Sequence, residues 1–381
     1  MTIWPTNPGS RAKLTTGQRK LGEVAEIYQG GKSGLTKKDY VKSGFLAFSA
    51  TGQDGFTKKA FDSGFAVILS SIGARCGKCF YAEGKWTALA NTQVIKLDDP
   101  MAAKFLYYYL NDENKWPRYG SAQPFIAPST VKRLKVPFPS LPIQKKIVER
   151  LDAIKKTQEL NDKQLVLVEE LFQSLLHREL DPKGKNWEVK RLGELSLVIT
   201  KGTTPTTYGY RFTDAGIPFL RVEDVNNDLV NPKKTEYHIS KETHEFMKRS
   251  KTEPRDILVT IAGTIGRVAH VPENAPEMNM NQAVAIVRLK PLVNHLYVFY
   301  LLRTKELQRA MKFAEVTGTI TNISLTTLKN LKIPLPPIET QRKIVEKLSA
   351  VQEYKKKLVE QREKLKELFE SVLHKSMAGK I

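Results

Sequence analysis

Polar side chains that can read or clamp a polyanion recur at the ends of strand-like segments, and they do so in both halves of the 381-residue chain. In the first half they are Lys32, Ser33, Ser49, Thr51, Arg75, Lys78, Tyr119, Ser121 and Gln123. In the second they are Lys201, Thr203, Thr204, Arg221, Glu223, Thr264, Arg267, Thr317, Thr319 and Asn322. Arginine and lysine pair with guanine edges or phosphates, and asparagine and glutamine can pair with adenine. Any one of these positions reads equally well as a solvated loop. The common placement across the two halves is what points to DNA, and it places Arg75 and Arg267 at a DNA-facing surface.

Catalytic signatures are scarce. The chain has no GxxxxGK[ST] phosphate loop, no GxGxxG after a strand and no Asn-Pro-Pro-aromatic tetrapeptide. Asp181-Pro182 followed by Glu188-Val189-Lys190 has the wrong order for a nuclease. Cys76-Gly77-Lys78-Cys79 is a CxxC without a second Cys or His pair to complete a zinc site. Its counterpart, Ile265-Gly266-Arg267-Val268, is apolar where the first copy has cysteine. That favours two small buried residues beside a turn, with a redox or metal role as the alternative. His177 and His374 are matched and end helices, where a cation complements the dipole.

These residues need elements to hold them, and both halves supply the same series. Leu21-Gly22-Glu23 and Leu192-Gly193-Glu194 open them, and each half then reaches a Gly turn at Gln29–Gly34 or Lys201–Pro205. Strand candidates follow at Phe45–Thr51 and Ile217–Asp224, then at Ala66–Ser71 and Asp256–Thr260. An Asn/Gln-bearing strand, a short aromatic helix (Phe105–Leu110; Tyr297–Leu302), a Gly-bearing loop and a Pro-x-Pro exit complete each series.

After each exit comes a long stretch without Pro or Gly, starting Gln144-Lys145-Lys146-Ile147-Val148-Glu149 and Gln341-Arg342-Lys343-Ile344-Val345-Glu346. The two end Leu171-Phe172-Gln173-Ser174-Leu175-Leu176-His177 and Leu368-Phe369-Glu370-Ser371-Val372-Leu373-His374, and they align without a gap. Ile147, Leu151, Ile154, Gln158, Asn161, Leu165, Val168, Phe172 and Leu175 step 4-3-4-3, as do Ile344, Leu348, Val351, Lys355, Leu358, Arg362, Leu365, Phe369 and Val372. Each is a heptad seam, apolar at its ends and polar in its middle. A lone helix of that length cannot bury such a stripe, and the simplest partner for each is the other. About 35 residues at 1.5 Å each make a rod of about 50 Å. Two readers on one face of a duplex want centres roughly 34 Å apart, which is the same scale.

Composition agrees with a nucleic-acid partner. Lys and Arg number 61 against 40 Asp and Glu, a formal charge of +21. Only 2 cysteines occur, which excludes a disulfide framework. Residues 1–11 carry no apolar signal core, and no apolar run approaches a membrane span, so a cytoplasmic location is expected. Residues 1–16 match no element.

The twofold recurrence of these entries, exits, helix starts and helix ends resembles the specificity (S) subunit of type I restriction–modification systems, over nearly the whole chain. The resemblance implies an α+β protein: two α/β target recognition domains separated by two long antiparallel coiled-coil helices, with an internal pseudo-two-fold repeat. Its divisions here are residues 1–140, 141–180 (spacer helix), 181–338 and 339–381 (spacer helix). It implies a subunit without catalysis or cofactor of its own, each domain reading one half of a bipartite double-stranded DNA target. Two adenine methyltransferase (M) subunits and motor-nuclease restriction (R) subunits would be partners, bringing S-adenosylmethionine, ATP and magnesium. For the methyltransferase contact it points to exposed residues at the helix ends: Phe172, Leu176, His177, Phe369, Leu373 and His374. A DNA-binding adaptor of another defence or chromosome-associated complex is the alternative reading.

Overall fold

The computed structural model describes residues 17–120, 122–226, 230, 232–313 and 322–378. It divides into two compact units. One comprises Met1–Lys163 with Glu360–Ile381, the other Gln164–Val359.

The first unit is built on the strands Glu26–Gln29, Thr92–Leu97, Phe65–Ser70 and Cys79–Ala82, hydrogen-bonded antiparallel in that order. Along Phe65–Ser70 the side chains alternate between faces. Val67 and Leu69 enter a core shared with the helix Pro100–Leu110, while Ala66 and Ile68 enter a second core around Phe48 and Trp86. Both faces are covered, which is why the strand reads as an unbroken apolar run. Asp99 caps the helix by accepting from the Met101 and Ala102 amides at 2.8 and 3.0 Å, and Pro100 opens its first turn. A second sheet runs Gly52–Thr57, Phe45–Ser49, Lys85–Ala88, Asp62–Ser63, with Phe45–Ser49 parallel to Lys85–Ala88.

The second unit repeats this plan. Its strands Ser196–Lys201, Val284–Leu289, Ile257–Thr260 and Val268–His270 follow the same antiparallel order. The smaller sheet runs Phe212–Thr213, His238–Ile239, Ile217–Leu220, Asn279–Met280, again with one parallel pair, Ile217–Leu220 beside Asn279–Met280. Asn294 caps the aromatic helix His295–Leu302 through the Leu296 and Tyr297 amides.

The two long helices are Leu141–Leu180 and Ile338–Met377, each of 40 residues. The matched glutamine at each start closes the preceding proline loop. Gln144 donates to the Pro139 carbonyl at 2.7 Å and Gln341 to that of Pro336 at 2.8 Å. Within each unit the helices pair antiparallel. In the second, Lys355 meets Glu169 at 2.5 Å and Lys347 meets Glu179 at 3.0 Å, so one helix rises in number as the other falls. In the first, Gln158 donates to the Leu365 carbonyl at 3.1 Å, while Phe369, Val372 and Leu373 pack on the core that holds Ile147 and Leu151.

The helix ends correct one expectation. Phe172 and Leu176 are 0% and 2% exposed, in a core with Leu192, Tyr297, Ile344 and Leu348. Phe369 and Leu373 are half-buried on the first unit's core, with the Phe369 ring 5.9 Å from that of Tyr108. An apolar residue at a helix end is absorbed by whichever core lies nearest, and here that is the chain's own globule. His177 and His374 are exposed, and His177 Nδ1 lies 4.0 Å from Glu306.

Candidate nucleic-acid interface

One end of each main sheet gathers the polar loops, and matching backbone hydrogen bonds do the gathering. In the first unit Leu89 N donates to Phe48 O (2.8 Å), Ser71 N to Asn91 O (3.0 Å) and Ile126 N to Ser71 O (2.9 Å). In the second, Asn281 N donates to Leu220 O (3.1 Å), Ile261 N to Ala283 O (2.8 Å) and Ile323 N to Ile261 O (2.8 Å). The glycine turn that ends the first strand joins the same cluster. Gly30 N donates to Thr92 O at 3.0 Å and Gly202 N to Val284 O at 3.1 Å. Side chains are excluded there. A Cβ on Gly30 would lie 2.1 Å from Thr92 Oγ1, and one on Gly202 would lie 2.0 Å from Met280 O.

In the first unit the cluster brings Ser49, Thr51 and Arg75 together around a carboxylate the sequence reading passed over. Asp54 accepts from Lys37 Nζ at 2.5 Å, Ser49 Oγ at 2.7 Å, Tyr40 Oη at 2.7 Å and the Thr51 hydroxyl. Burial alone would raise its pKa, but these donors hold it well below the usual carboxylate range. Arg75 Nη1 donates to the Thr51 carbonyl at 2.9 Å. Ser49 is 4% exposed, too buried to reach a base, so it supports the array rather than reading DNA. Thr51, Arg75, Lys78 and Gln123 are exposed, as is Tyr119, paired with the Phe125 ring at 5.7 Å. Lys32 is exposed and lies 4.0 Å over the Tyr28 ring, while the half-buried Ser33 accepts from the Leu35 amide. The tie between the Arg75 turn and the Tyr119–Gln123 loop is Gly73 N to Pro124 O, 2.9 Å.

In the second unit Thr204 bonds Gln282, and Arg249 approaches Thr203 Oγ1 at 3.5 Å. Lys201 is exposed. Arg221 stacks 4.6 Å over the Tyr237 ring, with Glu223 4.0 Å from its Nε. Asn322 is exposed and bridges to Ala262, beside the exposed Thr264. Ser121, Thr317 and Thr319 lie outside the described residues. Gln282 belongs to the Asn-Gln pair visible in the sequence, but Lys37, Tyr40, Asp54 and Arg249 gave no local signal.

The turn pairings align Lys78 with Arg267. Ser70 N donates to Lys78 O at 2.8 Å and Thr260 N to Arg267 O at 2.9 Å. Arg267 is therefore the counterpart of Lys78, in agreement with the alignment of Cys76–Cys79 on Ile265–Val268. It is also half-buried rather than at a loop tip, lining a cavity of about 850 Å³ with Glu169, Arg303, Lys355 and Lys356. The CxxC packs beside its turn as two free, buried thiols, whose pKa desolvation pushes up and which donate to the Ser71 and Leu110 carbonyls at 3.4 Å. Among the described residues no group of three His, Cys, Asp or Glu could hold a metal ion.

The family model for the type I restriction modification DNA specificity domain matches this chain twice, at residues 15–170 and 184–367. The chain is 24% identical over 340 residues to a putative type I restriction enzyme specificity subunit from Haemophilus influenzae, spanning 86% of this chain and 85% of that one. It is 27% identical over 348 residues to a putative type I specificity subunit, MjaX, from Methanocaldococcus jannaschii, spanning 83% and 78%. Among solved structures, a type I restriction-modification S subunit from M. genitalium superposes with a TM-score of 0.63 at 17% identity, over 96% of this chain and 97% of that one.

Proposed function

The chain belongs to the family of type I restriction-modification DNA specificity subunits, which are not themselves enzymes, and on that premise we propose that its two globules each read one half of a bipartite DNA target. In this reading residues 1–140 and 181–338 are target recognition domains, and residues 141–180 and 339–381 are the spacer helices that fix the gap between half-sites. The observation that carries it is the repeated bond plan, which presents polar, Gly-turned loops at the same sheet end in both globules. Duplicated readers with different loop residues suit two unlike half-sites. The net charge of +21 supplies the sequence-independent part of the affinity.

The partners in this reading are two adenine methyltransferase subunits and restriction subunits, which hold S-adenosylmethionine, ATP and magnesium. The methyltransferase contact moves from the helix ends to the open face of the first long helix. Val166, Leu167 and Leu171 are 59%, 62% and 50% exposed there and lie within two helical turns of one another, an apolar strip that suits a protein partner. No helix among the described residues is long and apolar enough to cross a membrane, and the complex works in the cytoplasm, where its DNA lies.

An adenine-methylation map of the host with and without the gene tests this reading. It predicts loss of methylation at one split motif, two short halves around a fixed unspecific gap. An unchanged map in a host whose methyltransferase subunit is expressed would contradict it.

A further inference from the structure

The carboxylate of Asp54 has no part in the reading above, yet it sits at the centre of the first unit's loop cluster. It lies on the strand Gly52–Thr57, one turn from Thr51, and its side chain is 25% exposed. A negative group near DNA phosphates is unfavourable unless it does something, and here Lys37 neutralises it at 2.5 Å. Gly55 leaves the space that brings the Tyr40 phenol in: a Cβ there would meet the Tyr40 ring at 2.1 Å.

The hydrogen inventory decides what the array can read. A threonine hydroxyl has one hydrogen and two acceptor positions. The hydrogen of Thr51 goes to Asp54, and Lys37 Nζ donates to Thr51 Oγ1 at 2.8 Å. The Ser49 hydroxyl lies 2.7 Å from both Asp54 and Thr51 Oγ1, and its one hydrogen goes to the charged carboxylate, the stronger acceptor, while Ser49 Oγ accepts from the Thr51 amide at 3.1 Å. What Thr51 still offers to an incoming group is therefore a lone pair and no hydrogen. Beside it Arg75 is exposed and bonded to the Thr51 carbonyl, with guanidinium donors to spare.

We propose that Asp54 is a specificity-determining positioning residue of the first recognition domain: it fixes Thr51 as a hydrogen-bond acceptor beside the donor Arg75, so that Thr51 selects a base presenting an exocyclic amine. In the major groove those amines are adenine N6 and cytosine N4, whereas guanine O6 and thymine O4 need a donor. A freely rotating hydroxyl would accept either class and discriminate neither. The proposal rests on the reading of this globule as a DNA reader.

The test uses the whole chain assembled with its methyltransferase, and reads the methylated motif and the binding of synthetic duplexes. Asp54→Asn presents an amide hydrogen in place of a carboxylate oxygen and frees the Thr51 hydroxyl to turn outward. Discrimination at one base pair of one half-site should fall about tenfold, with the other half and the gap unchanged. Thr51→Val keeps the shape but removes the acceptor, and it should relax the same base pair. Thr51 is exposed, so this variant decides the matter even if Asp54→Asn fails to fold. In the wild type, deleting the exocyclic amine at that base pair should weaken binding as much as Thr51→Val does, and combining the two changes should add nothing. An unchanged motif in both variants, or relaxation in both halves, overturns the proposal. If wild-type methylation does not depend on the chain at all, the reading of the globule falls first and the role of Asp54 falls with it.

Discussion

Gly30 and Gly202 show how single residues set the interface. Each ends a strand and lies against a turn distant in sequence, so close that a methyl group would collide with Thr92 Oγ1 and Leu89 O at 2.1 and 2.5 Å, or with Met280 O and Asn281 O at 2.0 and 2.2 Å. Gly202→Ala must push two backbone carbonyls aside, an overpacking cost of about 1–3 kcal/mol. The midpoint of thermal unfolding should drop by several degrees, and an unchanged midpoint would contradict the close approach. The turns themselves are legible in the sequence, since Gln29-Gly30-Gly31 and Lys201-Gly202-Thr203 interrupt strand-like runs. The reason for glycine is not, because the atoms it would strike are contributed from some 60 to 80 positions further along the chain. Asp54 was missed for a different reason. Its partners Lys37, Tyr40, Ser49 and Thr51 all lie within 17 residues of it, but on a short helical turn, a strand end and a hairpin turn that no spacing rule joins.

At the scale of elements, heptad spacing identified the buried face of each long helix. Asn161, Val168, Phe172, Ile344, Leu348 and Leu358 are all buried, whereas Arg362, in the polar middle of the second seam, is exposed. Periodicity says which face is covered and is silent about what covers it. Phe172 and Leu176, which the family resemblance offered as a partner surface, are core. Phe172→Ala should cost about 3–5 kcal/mol in urea unfolding, as for other buried aromatics. Leu167→Gln on the open face should stay within about 0.5 kcal/mol yet abolish co-purification with the methyltransferase subunit. Retained complex would move the interface elsewhere, and equal destabilisation by both changes would contradict the burial pattern.

On the scale of the molecule, each compact unit combines segments far apart in sequence: Met1–Lys163 is completed by Glu360–Ile381, and Gln164–Val359 holds the end of one long helix and the start of the other. The duplication was legible because the domain entries, the helix starts and ends and the proline exits all repeat with matched flanks, and the strand order repeats with them. The reading loops were legible only as loops, since their residues differ between halves. Two globules with one bond plan and different loop chemistry should act as independent readers. The most direct test exchanges residues 1–140 for the corresponding segment of a related specificity subunit and maps adenine methylation in the same host. The account predicts a motif with one half replaced, and with the other half and the gap retained. A motif altered in both halves, or in neither, would contradict it.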